Sequence, residues 1–416
     1  MNRRFNDEVN LFGLVALATG ILLVSSLYAV RSSGRVAASV RGQQAADEAV
    51  LARVPMRVLA NAPYIDARIN DQGPFTFGLD TGSMNSPLAR ELAETMGFDS
   101  RPTVRTGQPT IFTVSSSTTL STVKASFTSF ANLWALPGTR IYGDIGQNAL
   151  KDFVVEFDYA GGIFTVYDPT RFEYHGGGTV LPATWFMNYD PQIDGEISAP
   201  GLPPIKTKFT LDTGAGGTVI SAPLVSAHDL ARHVVATMPA PRSTPLADGV
   251  NGIVFDTVTA RIDAIRVGPY DLERPLVALS RDTQGTFAMA EVGVNLGGNV
   301  LRRFKVIVDY PRQRVILEPN ARLHDPFPAD ASGLVLTATG DDFKTFIVHG
   351  VVPKSPADEA GFRDDDVITA IDGEPATTYA LWQIQDLFKD ASRARRVTIT
   401  RAGATLTKTI KPRPLV

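Results

Sequence analysis

From about residue 56 to 320 the chain is a succession of short apolar runs broken by Gly, Pro, Asn and Asp. YIDARI, FTFGL, VVEFDY, IFTVY, KFTL, KVIVDY and RVILEP read as strands, since short runs of apolar and β-branched residues bounded by turn formers fit a pleated, half-buried surface. Helical periodicity is scarce there; ARELAETMG (89–97) and LVSAHDLARH (224–233) carry it best. Residues 321–332 read as a linker, and 333–416 mix strands with one clear helix, ALWQIQDLFKDA. The pattern predicts a mainly β protein. At the other end, after a short tail at 1–10, LFGLVALATGILLVSSLYAV (11–30) carries no charge. That length of helix spans the roughly 30 Å hydrocarbon layer, so one N-terminal transmembrane helix is expected. An uncleaved anchor is favoured over a cleaved signal, whose apolar run is usually about 7–15 residues. Arg3 and Arg4 precede the span and Arg31, Arg35 and Arg41 follow it, so flanking charge does not decide its orientation. The small, polar, Ala-rich residues 31–55 read as a tether.

A search for repeats organises the β-rich part. YIDARINDQGPFTFGLDTGS (64–83) lies over QIDGEISAPGLPPIKTKFTLDTGA (192–215): both begin Ile-Asp within two residues, cross a Gly/Pro loop and end Leu-Asp-Thr-Gly after an apolar strand. IGQNALKDFVVEFDY (145–159) lies over LGGNVLRRFKVIVDY (296–310) without a gap, with Gly, Asn, Leu, Phe, Val, Asp and Tyr coinciding. Each half opens with one block and closes with the other, which predicts two pseudo-symmetric lobes, 56–180 and 181–320.

Composition narrows the chemistry. A net charge of −3 offers no basic surface for nucleic acid. With no cysteine, thiol nucleophiles, disulfides and Cys-ligated metals are excluded. Of the five histidines, His228 and His233 are five apart and off a common helical face, so no metal site is expected and no cofactor is implied. Asp158 and Asp309, in the repeated Asp-Tyr, read as strand-end caps.

What remains is the duplicated Asp-Thr-Gly. Around a pseudo-twofold axis a residue near the axis meets its own counterpart, so Asp80 and Asp212 should face each other. Two carboxylates about 3 Å apart cannot both ionise and share one proton. Such a pair can hold a water, one acid taking its proton and the other polarising a carbonyl. Thr81 and Thr213 can hydrogen-bond across the axis, and Gly82 and Gly214 let backbone amides approach the carboxylates.

These triplets, each followed by a hydrophobic-Gly pair (Ile145-Gly146, Leu296-Gly297), resemble the bilobal aspartic proteases. The short lobes and LDTGAGGTVIS resemble the retropepsin-like bacterial branch. The resemblance covers about 56–320 and implies a β-fold in each lobe and peptide-bond hydrolysis by Asp80 and Asp212. The residue before the hydrophobic-Gly pair is usually apolar in that family, whereas here it is Asp144 in one half and Asn295 in the other. The segment 100–125, where a flap belongs, contains no tyrosine.

GVVPKSPADEAGFRDDDVITAIDGEP (350–375), the following helix and VTITRAGATLTKTIKP resemble the PDZ domain of bacterial envelope proteases. That resemblance implies binding of an extended peptide as an added strand, with Thr345, Phe346, Ile347 and Val348 as the expected edge. The combined expectation is a membrane-anchored aspartic endopeptidase with a PDZ module. It is single-pass in the inner (cell) membrane, with the catalytic and PDZ domains periplasmic or extracytoplasmic. Its partners are polypeptide substrates, a peptide ligand of the PDZ domain and the membrane, without nucleic acid. The alternative is a non-catalytic envelope scaffold on a degenerate protease body.

Overall fold

In both halves of the repeat two apolar runs fold back on one another as a hairpin, closed by a two-residue turn in the first and by the longer Gly/Pro loop at 199–204 in the second. The computed structural model describes residues 48–97, 109–110, 112–115, 118–120, 123–124, 126–234, 236–237 and 256–416. The apolar stretch 11–30 lies outside them, and among the described residues no helix is long and apolar enough to cross a membrane. Leu51–Pro169 and Gly177–Val416 form one compact unit, which contains both halves of the repeat and the last part of the chain.

Strand β1 (Val50–Pro55) precedes the hairpin of β2 (Ala62–Ile69) and β3 (Gln72–Leu79). Asn70 and Asp71 turn that hairpin with positive φ, 46° and 66°, the conformation that two-residue hairpin turns require and that Asn and Asp tolerate. Helix α1 (Arg90–Thr95) follows. A short strand β4 (Asp144–Ile145) then lies parallel to the end of β3, pairing Asp144 with Gly78 and Ile145 with Leu79. Strands β5 (Val154–Asp158) and β6 (Ile163–Tyr167) close the half. The second half repeats the plan. β7 (Thr179–Pro182) leads into the hairpin of β8 (Asp190–Ser198) and β9 (Ile205–Leu211). Helix α2 (Ala222–Ala227) covers only the front of the helix expected over 224–233. Asp229, at φ 49°, breaks it, and one 3-10 turn follows. β10 (Val294–Leu296) lies parallel to β9, pairing Asn295 with Thr210 and Leu296 with Leu211. β11 (Phe304–Asp309) and β12 (Arg314–Pro319) end the half.

The closing blocks meet. β5 and β11 pair antiparallel, Val154 opposite Asp309 and Asp158 opposite Lys305, in a sheet of order β1-β6-β5-β11-β12-β7. Read from either edge this order gives the same sequence of roles, so the pseudo-twofold axis passes between β5 and β11. Residues 50–55, expected to be the end of a tether, are instead β1 of this sheet, which buries Ala52 and Val54 and exposes Leu51, Arg53 and Pro55; residues 31–47 of that expectation lie outside the described residues. Each half puts the apolar residues leading to its Asp-Thr-Gly into one core; Phe77, Leu79, Phe209 and Leu211 are fully buried. Asp158 and Asp309 cap the turns after their strands, accepting hydrogen bonds from the Gly161 and Arg312 amides.

The last part has its own core. Strands β13 (Leu334–Thr339), β14 (Thr345–Val351), β15 (Val367–Ile371), β16 (Arg395–Arg401) and β17 (Ala404–Ile410) follow one another across a sheet. Helix α3 (Leu381–Lys389) buries Leu381, Ile384 and Phe388, an i, i+3, i+7 stripe. Gln383 reaches back to accept from the Ala380 amide at its start.

Candidate active site

Each Asp-Thr-Gly turn begins where a parallel pair ends. The Asp80 amide donates to the Ile145 carbonyl at 3.1 Å and the Asp212 amide to the Leu296 carbonyl at 3.0 Å. The two turns then lock reciprocally. The Thr81 amide donates to Thr213 Oγ1 at 3.0 Å and the Thr213 amide to Thr81 Oγ1 at 3.1 Å. The hydroxyls donate onward across the axis, Thr81 to the Leu211 carbonyl and Thr213 to the Leu79 carbonyl at 2.6 Å. Both threonines are fully buried, so every polar atom of this crossing depends on its partner.

The glycines face the opposite acids. A Cβ on Gly82 would stand 2.7 Å from Asp212 Cγ, and one on Gly214 would stand 2.5 Å from Asp80 Cγ. The Gly82 amide donates to Asp80 Oδ1 and the Ala215 amide to Asp212 Oδ1, each at 2.9 Å. The two carboxyls lie within hydrogen-bonding reach of one another. The structure thus brings together all six residues expected there, Asp80, Thr81, Gly82, Asp212, Thr213 and Gly214. Gly214→Ala is expected to push Asp80 off this line and remove any activity that depends on the pair. The pH dependence of stability, which reports the buried carboxyls, checks the displacement independently.

A brace behind each turn was not foreseen. Ser86 Oγ donates to Asn148 Oδ1 at 2.6 Å and accepts from the Gly146 amide; Thr218 Oγ1 donates to Asn299 Oδ1 at 2.7 Å and accepts from the Gly297 amide. The signal was present in the repeated Gly-x-Asn of the closing blocks, whose asparagines hold the Asp-Thr-Gly loops from behind.

Burial raises both acids, and like charge adds to it at Asp80. Asp80 stands well above the usual carboxylate range through burial first, then the charges of Asp212, Asp144 and Asp190. Asp212 is also raised by burial, offset by hydrogen bonds, chiefly from Asn295. Asp190, at the start of β8, was not anticipated: it is 4% exposed, its Oδ1 has no hydrogen-bond partner, and burial followed by Asp212 raises it well above its ordinary value. Tyr159 and Tyr310, from the repeated Asp-Tyr, are buried beside these acids and raised by burial and by their charge. Among the described residues no group of three or more His, Asp and Glu is arranged to hold a metal ion.

The expected peptide edge is corrected. Thr345, Phe346, Ile347 and Val348 lie in β14, which is interior to its sheet. Thr345 to Val348 pair with β13, and Phe346 and Ile347 pair also with β15 on the other side. A strand with neighbours on both sides has no ladder to offer. The edges of the sheet are β13 and β17, and it is β13 whose apolar face packs with α3 in one core. The preceding turn is internally satisfied: the Ser332 and Gly333 amides donate to the Asp330 carboxylate at 3.2 and 2.6 Å, and the Leu334 amide to Ser332 Oγ at 3.0 Å. The Gly-Asp-Asp-Phe-Lys loop between β13 and β14 instead meets the first half. There Phe343 stands edge-on to Trp134, and nearby the Trp382 amide donates to the Leu136 carbonyl.

Comparison with known proteins places a class on part of the chain: residues 347–401 match the PDZ domain family. Among solved structures, an aspartic proteinase from Irpex lacteus is similar over 65% of this chain and 97% of its own, with 14% identity and a TM-score of 0.37. The photosystem II D1 C-terminal processing protease is similar over 21% of this chain and 23% of its own, with 31% identity and a TM-score of 0.19. No curated protein sequence matches the chain.

Proposed function

We propose that this chain is an aspartic endopeptidase in which Asp80 and Asp212 activate water against a peptide carbonyl, with a PDZ module that holds polypeptide. The observation that supports this reading is the reciprocal Thr81–Thr213 bonding, with the glycine of each turn lying against the acid of the other. In a shared-proton pair, the ionised acid accepts a proton from water while the protonated acid polarises the carbonyl oxygen. A scaffold without catalysis needs none of this: neither the paired acids nor the glycines that make room for them. The uncharged 11–30 stretch supports a membrane anchor. On this reading the two lobes and the PDZ module lie on the extracytoplasmic side, and the substrates are envelope proteins.

The test is incubation of the full-length protein in detergent with denatured casein between pH 3 and 8, with new chain ends identified by mass spectrometry. New ends that vanish when either aspartate is replaced support the reading. A wild-type chain that produces none at any pH sinks it.

For the PDZ module, the free β13 edge supports addition of a strand, while the amides at its start are taken by Asp330 and Ser332. An extended segment is therefore expected to bind through its main chain, without help from a terminal carboxylate. Fluorescence anisotropy on a peptide library synthesised in paired free-acid and C-terminal amide forms should give matched affinities. A tenfold advantage for the acids would refute this.

A further inference from the structure

The halves differ at one pair of mirror positions beside the dyad. In the second half, Thr210 Oγ1 donates to Asn295 Oδ1 at 2.8 Å, which turns the amide so that Nδ2 donates to Asp212 Oδ2 at 2.9 Å. Thr210 and Asn295 are both buried, so this orientation is fixed. With the Ala215 amide on Oδ1, Asp212 has a donor at each oxygen, the arrangement that stabilises a carboxylate. In the first half the same register places Gly78 where Thr210 stands and Asp144 where Asn295 stands. Asp144 Oδ1 lies 2.3 Å from where a Cβ on Gly78 would be, so the missing side chain is what admits the acid. Asp80 keeps its bond from the Gly82 amide, but its mirror neighbour is an acid instead of an amide.

The charged and titratable groups facing Asp80 are Asp212 from β9, Asp144 from β4 and Asp190 from β8. The phenols of Tyr64 from β2, Tyr189 and Tyr310 also feel its charge. Asp144 in turn faces Asp212 and Tyr64. Among the described residues, the leading causes that shift these acids include no Lys, Arg or His.

We propose that Asn295 and Asp144 are opposed positioning residues that decide which member of the dyad carries the shared proton: Asn295 holds the charge on Asp212, and Asp144 keeps the proton on Asp80. This rests on the aspartic endopeptidase reading. Asp212 then accepts a proton as the water oxygen bonds to the carbonyl carbon, and Asp80 gives its proton to the carbonyl oxygen. In the collapse of the resulting diol, the C–N bond breaks and the leaving nitrogen takes the proton from Asp212. One diol hydroxyl returns its proton to Asp80 and becomes the C=O of the new acid. Dyad and proton are restored.

The experiment is the pH dependence of casein cleavage by the full-length protein, comparing wild type with Asp144→Asn and Asn295→Asp. Asp144 gains its charge only near pH 7, at the alkaline limb; removing that charge lets Asp80 lose its proton more easily, so Asp144→Asn should move the alkaline limb down by about one pH unit. Asn295→Asp replaces a donor to Asp212 with a like charge and should move the acid limb up by a similar amount. A merely structural role would scale both limbs without moving either. Wild-type limbs in both variants, in a protein that cleaves, overturn the inference and leave the endopeptidase reading intact. A wild type that never cleaves overturns both.

Asp144 also gives a readout that does not depend on cleavage. Its carboxyl is pushed up to about 7, by burial first and the charge of Asp212 second. A carboxyl raised in the folded state weakens folding as pH climbs from its unfolded value of about 4 to its folded one. The wild type should therefore lose melting temperature from pH 4 to 7, and Asp144→Asn should lose less. Equal losses would mean that Asp144 does not feel the dyad, and the inference falls.

Discussion

Asp80→Asn is expected to reduce casein cleavage by about 10³-fold or more, the upper part of the range for removing a positioned acid–base group. The folded chain should melt no lower than wild type at pH 7. The substitution keeps the shape, the acceptor for the Gly82 amide and a donor toward Asp212, but it cannot exchange the proton. Stability moves the other way because the Asp80 carboxyl is raised by burial and by three neighbouring acids. Such a group weakens folding above its unfolded value, near pH 4, and asparagine removes that cost. The melting curves should therefore coincide near pH 3 and separate, with the variant higher, as pH rises. Initial rates and melting on the same preparations check both halves. The Asp80/Asp212 double asparagine variant should lose little more activity than either single one, since the pair acts as a unit. A single variant that keeps a tenth of the rate would exclude the dyad as the catalytic group.

Thr213→Val carries the largest expected cost in stability, about 2–6 kcal/mol. It deletes the acceptor for the Thr81 amide and the donor to the Leu79 carbonyl, and each buried group left unsatisfied costs about 1–3 kcal/mol. Urea unfolding of the full chain measures it. Thr81→Val should cost a similar amount by the mirror argument. The double variant should cost clearly less than the sum, because the reciprocal bonds tie both residues into one network. Simple additivity would mean that the two turns are held independently.

Several features were legible along the chain because they are local or repeated. The α3 stripe of Leu381, Ile384 and Phe388 is visible in ALWQIQDLFKDA. FTFGLDTG and KFTLDTG announce strands that end on an acid, and the duplicated closing block says that the two ends meet. β1 was harder: VLARVP alternates as an edge strand should, but six residues with an Arg and a Pro do not stand out from a polar tether. Its partner β6 is more than a hundred residues away. The peptide edge was misplaced for a related reason. β13 and β14 are both short apolar runs, and nothing inside either says which has a second neighbour. That is decided by where β15 packs.

The sequence by itself therefore determined the meeting of the two Asp-Thr-Gly turns, with their threonine crossing and glycine clearance, because duplication carries the symmetry that brings these residues to one axis. Tertiary structure decided everything that breaks the symmetry. Asn295 bonds Asp212 because Thr210 orients it. Asp144 stands by Asp80 because Gly78 is empty of a side chain, and Asp190 joins them from the start of a different strand. Those neighbours are set by pairing and burial between segments far apart in the chain. A linear pattern records what each residue is and omits what faces it.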